Sequence, residues 1–297
     1  HDTSLVYTAT WKCGPYIEWD AEQQMLKRDG KGTYILKSMN NFEEEWLKEN
    51  LTIEKYSQSL IRCYGFTRDP TTQSYMLVLQ HMDSNLRDFL TKKPDLPWKI
   101  KFKIVRNISN GIRKLHKVSN SAHKNLHPRN ILVDEAKFHC VISDFEFDSL
   151  RKSSNSIYKN ILYTAPEVLC NKPYTIKSDI YSLGMIMWEL TSGKPAFNDE
   201  ITKSDDEFAS DIINGLRPKV VDGTPHNYAT LMVKCWDAIP ENRPDANIVM
   251  KEMESLLRNI YENDDSSRVL KPIPLKINSK TPVKNFIKYL ERKFKWF

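Results

Sequence analysis

No apolar run in the chain approaches the ~18 residues that a membrane-spanning helix needs, so no transmembrane helix is expected. Cysteine is scarce. Cys13, Cys63, Cys140, Cys170 and Cys235 are odd in number, scattered and without a C-x-x-C pair. That pattern argues against a disulfide framework or a zinc site and suits a reducing, cytoplasmic setting. The opening HDTSLVYTATW has no basic stretch followed by an apolar one, so no signal peptide is visible. It also has no initiator Met, as expected of a fragment or an excised domain. Internal repeats and low-complexity blocks are missing. So is a strong charge imbalance: the net charge of +6 lies largely near the C-terminus. It describes a tail more than a nucleic-acid surface, and no nucleic-acid partner is expected.

What is present suffices for one large domain or two lobes, with 297 residues of which 40% are hydrophobic. LVYTATW and TYILKSM read as strands, with WKCGPYIEWDAEQQMLKRDGKG a long polar connection between them. Residues 42–55 place Phe42, Trp46, Leu47 and Ile53 on one helical face. SLIRCYGF and SYMLVLQH flank the Asp69-Pro70 step and read as a hairpin. Ile104, Ile108, Ile112 and Leu115 fall at the spacing of a buried amphipathic helix. Two short strands follow, NILV and CVISDF, and then SDIYSLGMIMWELTSG, YATLMVKCWD and ANIVMKEMESLLRNI, all helical in period. Asp179 reads as an N-cap-region residue and Gly193 as a helix stop. The expectation is an α+β chain, strand-rich first and helical second.

One stretch carries the chemistry. In HKNLHPRNIL, Asn130 immediately precedes a strand, and Asp144 immediately follows the strand that pairs with it. A hairpin brings its two ends together, so these residues should be neighbours. An amide oxygen beside a carboxylate gives two hard oxygen ligands, suited to Mg²⁺ carrying nucleotide phosphates. A capping Asn and a structural Asp would look the same, so the pair alone does not decide.

An ordered set of motifs does more. Over residues 4–260 the chain resembles a protein kinase domain, nearest to the tyrosine-kinase-like class. YILK resembles the strand of the phosphate-gripping lysine, Lys37. EEEWLKEN resembles the helix of its ion-pair partner, Glu49, with Glu45 as the alternative. HKNLHPRN resembles H-R-D-L-x-x-x-N, SDFE the D-F-G site, and TAPE the A-P-E motif. SDIYSLGMIMWEL resembles the central helix whose Asp179 braces the catalytic loop. CWDAIPENRP resembles the segment whose arginine, Arg243, pairs with the A-P-E glutamate, Glu167. The resemblance implies a bilobal α+β fold with a small β-rich lobe over 1–82, a helical lobe over 83–261 and a tail over 262–297. It implies ATP and Mg²⁺ as cofactors, with Asn130 and Asp144 as metal ligands. Val6, Ile35, Lys37 and Leu132 would contact the nucleotide, as would Leu79 and the hinge Gln80-His81-Met82.

The departures matter as much. Asn125 stands where the family has its catalytic aspartate. An amide oxygen is too weak a base to accept the substrate proton, and such a base contributes about 10²–10⁴ in rate. The resemblance therefore implies a pseudokinase with a signalling or scaffold role. The alternative is an active Ser/Thr or Tyr kinase with an atypical loop, in which His127 serves as substitute base. Glu146 replaces the D-F-G glycine, Ile35 a smaller residue under the adenine, and Lys124 the usual arginine. A glycine-rich loop would fall at Ser4 and before, where it is not recognisable. LHPRN also echoes the small-molecule kinases, but Glu167, Asp179 and Arg243 favour the protein kinases. Ser153, Ser154, Ser156 and Tyr158 are hydroxyls open to phosphorylation. In the tail, residues 283–297 form a basic amphipathic helix by pattern. It suits an anionic membrane, a partner or the chain's own large lobe.

Overall fold

Aromatic and β-branched residues run along Val6–Trp11 and Gly32–Ser38. In the computed structural model, which describes residues 5–38, 59–144, 160–197 and 204–263, these become strands β1 and β4. The chain divides into two compact units, 1–83 and 84–297.

The first unit is built on a four-stranded antiparallel sheet in the order β1-β4-β6-β5, with β5 at Cys63–Arg68 and β6 at Tyr75–Gln80. The β5–β6 turn is the expected one. Asp69 Oδ1 accepts the N–H groups of Thr71 and Thr72 at 2.7 and 3.2 Å, bonds that hold its carboxyl below the usual range. Residues 12–31 correct the sequence reading. They are not a plain connection but contain a two-stranded ribbon, β2 (Tyr16–Asp20) and β3 (Met25–Arg28). A register shift between Tyr16 and Glu18 breaks the period of two, and Tyr16, Ile17, Trp19, Met25 and Leu26 all stay exposed, so no buried stripe announced it. Lys27 ties the ribbon by bridging Glu18 and Asp20 at 3.3 Å each, and Arg28 lies 3.9 Å over the Tyr16 ring. At its base Gly14 has φ +65°, and a side chain there would meet the Gly30 carbonyl at 2.2 Å, so only glycine fits.

The second unit opens with β7 (Ser84–Asn85) and α1 (Leu86–Lys92), capped by Asn85, whose side chain accepts from the Asp88 N–H. Helix α2 (Trp98–Ser119) buries Phe102, Ile104, Val105, Ile108, Ile112 and Leu115 along the predicted stripe, and it stops at Asn120 in the left-handed region. A 3₁₀ turn, Pro128–Asn130, leads into β8 (Ile131–Asp134), which pairs antiparallel with β7 and with β9 (His139–Ile142). Then come the short α3 (Pro166–Leu169), α4 (Ile176–Ser192), α5 (Asp205–Ile213), α6 (His226–Cys235) and α7 (Ala246–Asn263).

Helix α4 is buried on nearly every side, which is why its sequence shows so little polar face. Gly184 permits the approach of α6: a Cβ there would lie 2.9 Å from Cys235 Cβ. Gly193 ends α4 at φ +68°, as expected. Asp179 does not cap this helix. Thr175 does, in a capping box with Ser178, which leaves the Asp179 carboxylate for other work. Helices α1 and α5 had no counterpart in the sequence reading. The expected helix over 42–55 with Glu45 and Glu49, the residue Glu146, the hydroxyls at 153–158 and the basic tail 283–297 lie outside the described residues.

Candidate functional site

The register of the first sheet gathers four of the residues expected at the nucleotide. Val6 pairs with Lys37, and Lys37 with Leu77; Thr8 pairs with Ile35, and Ile35 with Leu79. Paired residues share a face and neighbours along a strand alternate, so Val6, Ile35, Lys37 and Leu79 occupy one face of the sheet. Lys37, Ile35 and Leu79 are half-buried there, while Val6 is exposed. Gln80 ends β6 and donates its N–H to the Arg62 carbonyl at 2.8 Å; Met82 follows, half-buried, after an exposed His81.

In the second unit the loop 123–130 is held from below by a single carboxylate. Asp179, 1% exposed, accepts the backbone N–H of His123 at 2.7 Å and of Lys124 at 3.1 Å, and lies 2.7 Å from His116 Nε2. A buried carboxylate with three donors is satisfied and fixed. These bonds hold Lys124 at φ +68°, an unusual conformation for a residue with a side chain. His123 is fully buried. Its Nε2 donates to the Ser143 carbonyl at 3.0 Å, and its Nδ1 accepts the Asn125 N–H at 3.2 Å, which sets the neutral Nε2–H tautomer.

Asn125 and Asn130 are joined within the loop, because Asn130 Nδ2 donates to the Asn125 carbonyl at 2.9 Å. That bond fixes the amide of Asn130 and leaves its Oδ1 as the atom able to act as a ligand. The Asn130 carbonyl accepts from the Ser143 N–H at 2.8 Å and from its hydroxyl at 3.2 Å, so the ladder of β8 and β9 extends one pair beyond the strands. Asp144 is the next residue, exposed and at φ +57°. Amide oxygen and carboxylate thus stand at the two ends of one hairpin, a hard-oxygen set that fits a divalent cation. Among the described residues no group of three or more His, Cys, Asp and Glu could hold a metal. Leu132, half-buried on β8, pairs with Asn85 and Val141.

Two features were not foreseen. The first is Asn160, whose Nδ2 donates to Asn125 Oδ1 at 3.3 Å. The second is a buried group on α1, α4 and the chain between them. Tyr163 OH donates to Glu189 Oε2 at 2.6 Å, and Arg87 pairs with Glu189 and bonds Tyr163 OH. Burial pushes the Glu189 carboxyl up to about 7, against the pull of Arg87 and the Tyr163 hydroxyl. A folded-state value above the unfolded 4.5 means that the native protein holds the proton more tightly. Stability from this group is then full below about pH 4.5 and is lost as pH rises through about 7, by roughly 3 kcal/mol. The difference in urea midpoint between wild type and Glu189→Gln should change across that window; parallel curves would contradict the assignment.

His127 is buried, with its ring 6.3 Å from that of Tyr163. Burial pulls its pKa down to about 4, helped by His123 and opposed by Asp144. It is neutral at physiological pH and about as basic as a carboxylate, but its burial keeps it from a dissolved substrate. Glu167 and Arg243 meet as expected, in a buried two-pronged pair with both contacts at 2.7 Å.

The sequence profile described as "Protein tyrosine and serine/threonine kinase" matches residues 18–253. The chain is 31% identical over 235 residues to "Probable serine/threonine-protein kinase roco8" of Dictyostelium discoideum, covering 74% of this chain and 12% of the relative. It is 28% identical over 270 residues to "Receptor-interacting serine/threonine-protein kinase 4" of Mus musculus, covering 84% of this chain and 31% of the relative. To "Dual specificity protein kinase shkE" of Dictyostelium discoideum it is 28% identical over 230 residues, or 75% of this chain and 31% of the relative. The chain thus spans less than a third of the length of each of these proteins.

Proposed function

From the premise that this chain belongs to the protein tyrosine and serine/threonine kinase family, we propose that it binds ATP with Mg²⁺ and transfers phosphate to protein only at a severely reduced rate. The observation that carries this reading is Asn125. It occupies the loop braced by Asp179, and its side-chain oxygen accepts a hydrogen bond from Asn160 where a proton-accepting carboxylate is needed. The residue types of the phosphate and metal contacts are kept, although Glu146 replaces the D-F-G glycine and no glycine-rich loop is recognisable. Lys37 grips the α- and β-phosphates from β4, with Glu49 as its partner, and Val6, Ile35, Leu79, Gln80, Met82 and Leu132 contact the nucleotide. Asn130 Oδ1 and Asp144 hold the metal, which when bound neutralises phosphate charge. Phosphoryl transfer needs mostly positioning and charge neutralisation, so a slow residual reaction survives the loss of the base.

The role is that of a signalling scaffold in the cytoplasm, in keeping with five cysteines that all carry free thiols. Residues 283–297 serve as a basic docking helix for a partner or an anionic membrane surface. No helix among the described residues is long and apolar enough to cross a membrane. The phosphorylation rate of wild type against Asn125→Asp tests the central claim, and equal, robust rates in both would overturn it.

Nucleotide binding has its own test. Ligand at about 100 times its Kd stabilises a protein by roughly 2.7 kcal/mol. For a domain of this size that is a rise of about 5–10 °C in melting temperature. ATP with Mg²⁺ should produce such a rise in wild type, and ATP with EDTA a smaller one. Asp144→Asn should abolish the difference between the two. A wild-type melting temperature indifferent to Mg²⁺ in the presence of ATP would remove the metal from the reading.

A further inference from the structure

We propose that a cavity of about 240 Å³, between α2 and the N-terminal ends of α4 and α7, binds a small amphipathic carboxylate. It lies wholly in the second unit, and His116 on its wall also meets the Asp179 that braces the loop 123–130.

The charge on its walls is one-sided. Arg113, His116 and Lys117 fall on one face of α2, three and four residues apart, and line the cavity together. Opposite them stand Lys177 of α4 and Asp245 just before α7. These two neutralise each other at 2.6 Å, and the same Lys177 nitrogen also donates to the Arg243 carbonyl at 2.7 Å. His116 is engaged by Asp179. Arg113 and Lys117 therefore remain as the cations that no carboxylate answers among the described residues.

Arg113 is also only half satisfied. Its Nη2 donates to Asn110 Oδ1 at 2.9 Å, which anchors the guanidinium, while its Nε is buried with no acceptor. A guanidinium presents its donors as a fork that a carboxylate fills with two parallel bonds, and Arg113 lines the cavity with that group.

The floor of the cavity selects for an apolar body behind that head group. Ile176, Ile180 and Ala246 line it, and Ile176 is 39% exposed at the rim. Hydrocarbon of this kind gains nothing from a fully hydrated ion such as inorganic phosphate, but it covers an aryl or branched alkyl group. The volume lies below the ~300 Å³ at which drug-sized pockets begin, so the ligand is of amino-acid or short aryl-acid size.

The test is calorimetric titration of the full chain with 4-phenylbutyrate, its neutral amide and inorganic phosphate. The acid should bind at least about tenfold more tightly than the amide, because only the acid makes charge-assisted bonds to Arg113. Phosphate alone should give no saturable signal. Arg113→Met keeps the stem but removes the fork, and it should weaken the acid about tenfold or more. Lys137→Met, on an exposed turn elsewhere, should leave it unchanged. Should Arg113→Met fail to fold, Lys117→Met on the exposed edge of the same wall replaces it, with a several-fold loss expected. Equal binding of acid and amide, saturable binding of phosphate, or unaltered affinity in the folded Arg113→Met protein would each overturn the proposal.

Discussion

Asn125→Asp is expected to raise the rate of phosphoryl transfer by about 10²–10⁴, the range a positioned general base contributes, or roughly 3–5.5 kcal/mol of barrier. The surroundings of residue 125 favour a clean exchange. Its N–H donates to His123 Nδ1, its carbonyl accepts from Asn130, and its Oδ1 accepts from Asn160. Aspartate has the same backbone groups and the same oxygen, so every one of these bonds survives the substitution. The bond from Asn160 should strengthen, because its acceptor gains charge. A melting temperature close to that of wild type is the control that the loop has not moved. Adding Asn160→Ala to Asn125→Asp should lower the recovered rate by releasing the carboxylate from its orientation. If both wild type and Asn125→Asp bind ATP yet stay inert, the block lies elsewhere, with Ile35 or Glu146 as the next residues to change. If His127→Asn alone abolishes a robust wild-type rate, the buried imidazole is the base, and the family's proton acceptor has been replaced rather than lost.

The parts of the fold that were legible in the sequence are those where burial and period coincide. Ile104, Ile108, Ile112 and Leu115 each lie at 0–1% exposure on α2, so the stripe in the sequence and the stripe in the core are one object. The Asp69 turn was legible for a local reason, since its carboxylate closes onto the next two residues whatever the rest of the chain does. The ribbon β2–β3 was hidden because it obeys neither rule. Its apolar residues are not buried and its period is broken at Ile17.

The site divides in the same way. Asn125, Asn130, Asp144 and Asp179 could be picked out because they cluster in short motifs of recognisable order. Asn160 could not, since its partner lies 35 residues back and nothing about a lone Asn in a polar segment marks it. The Arg87, Tyr163 and Glu189 group was likewise invisible. Its members are 76 and 102 residues from Arg87, and only the fold brings them together. Asp179 shows the intermediate case. Its helical period placed it near a helix start, where Thr175 and Ser178 form the cap, and the motif resemblance alone gave its role under a loop more than fifty residues away, where its carboxylate accepts from His123 and Lys124.

Arg243→Met should be the most damaging single change to stability, at about 3–5 kcal/mol, the cost of leaving one partner of a buried ion pair alone. The Arg243 side chain is fully buried and all of its nitrogens are engaged. Nη1 donates to Glu167 Oε1 at 2.7 Å and to the Lys177 carbonyl at 2.9 Å. Nη2 donates to Glu167 Oε2 at 2.7 Å and to the Ala238 carbonyl at 3.4 Å, and Nε to the Asp237 carbonyl at 2.8 Å. Removing the guanidinium strands a carboxylate that is 7% exposed, with only the Ser178 hydroxyl, among the described residues, still bonded to it at 3.1 Å. Against a typical total of about 5–15 kcal/mol, that loss brings a domain near its unfolding threshold. The double variant Arg243→Met with Glu167→Leu separates the causes. Replacing both members by apolar groups removes the stranded charge, so it should be more stable than Arg243→Met alone. It should not return fully to wild type, because the carbonyls of Lys177, Ala238 and Asp237 still lack their donor. Urea midpoints of the three proteins decide the matter: a loss below about 1 kcal/mol in Arg243→Met would place the pair with the weak surface bridges. The consequence reaches the site, since Glu167 lies on α3 a short step beyond Tyr163 and Asn160. In the Asn125→Asp background, loosening this anchor should therefore lower the transfer rate even at temperatures where the protein remains folded.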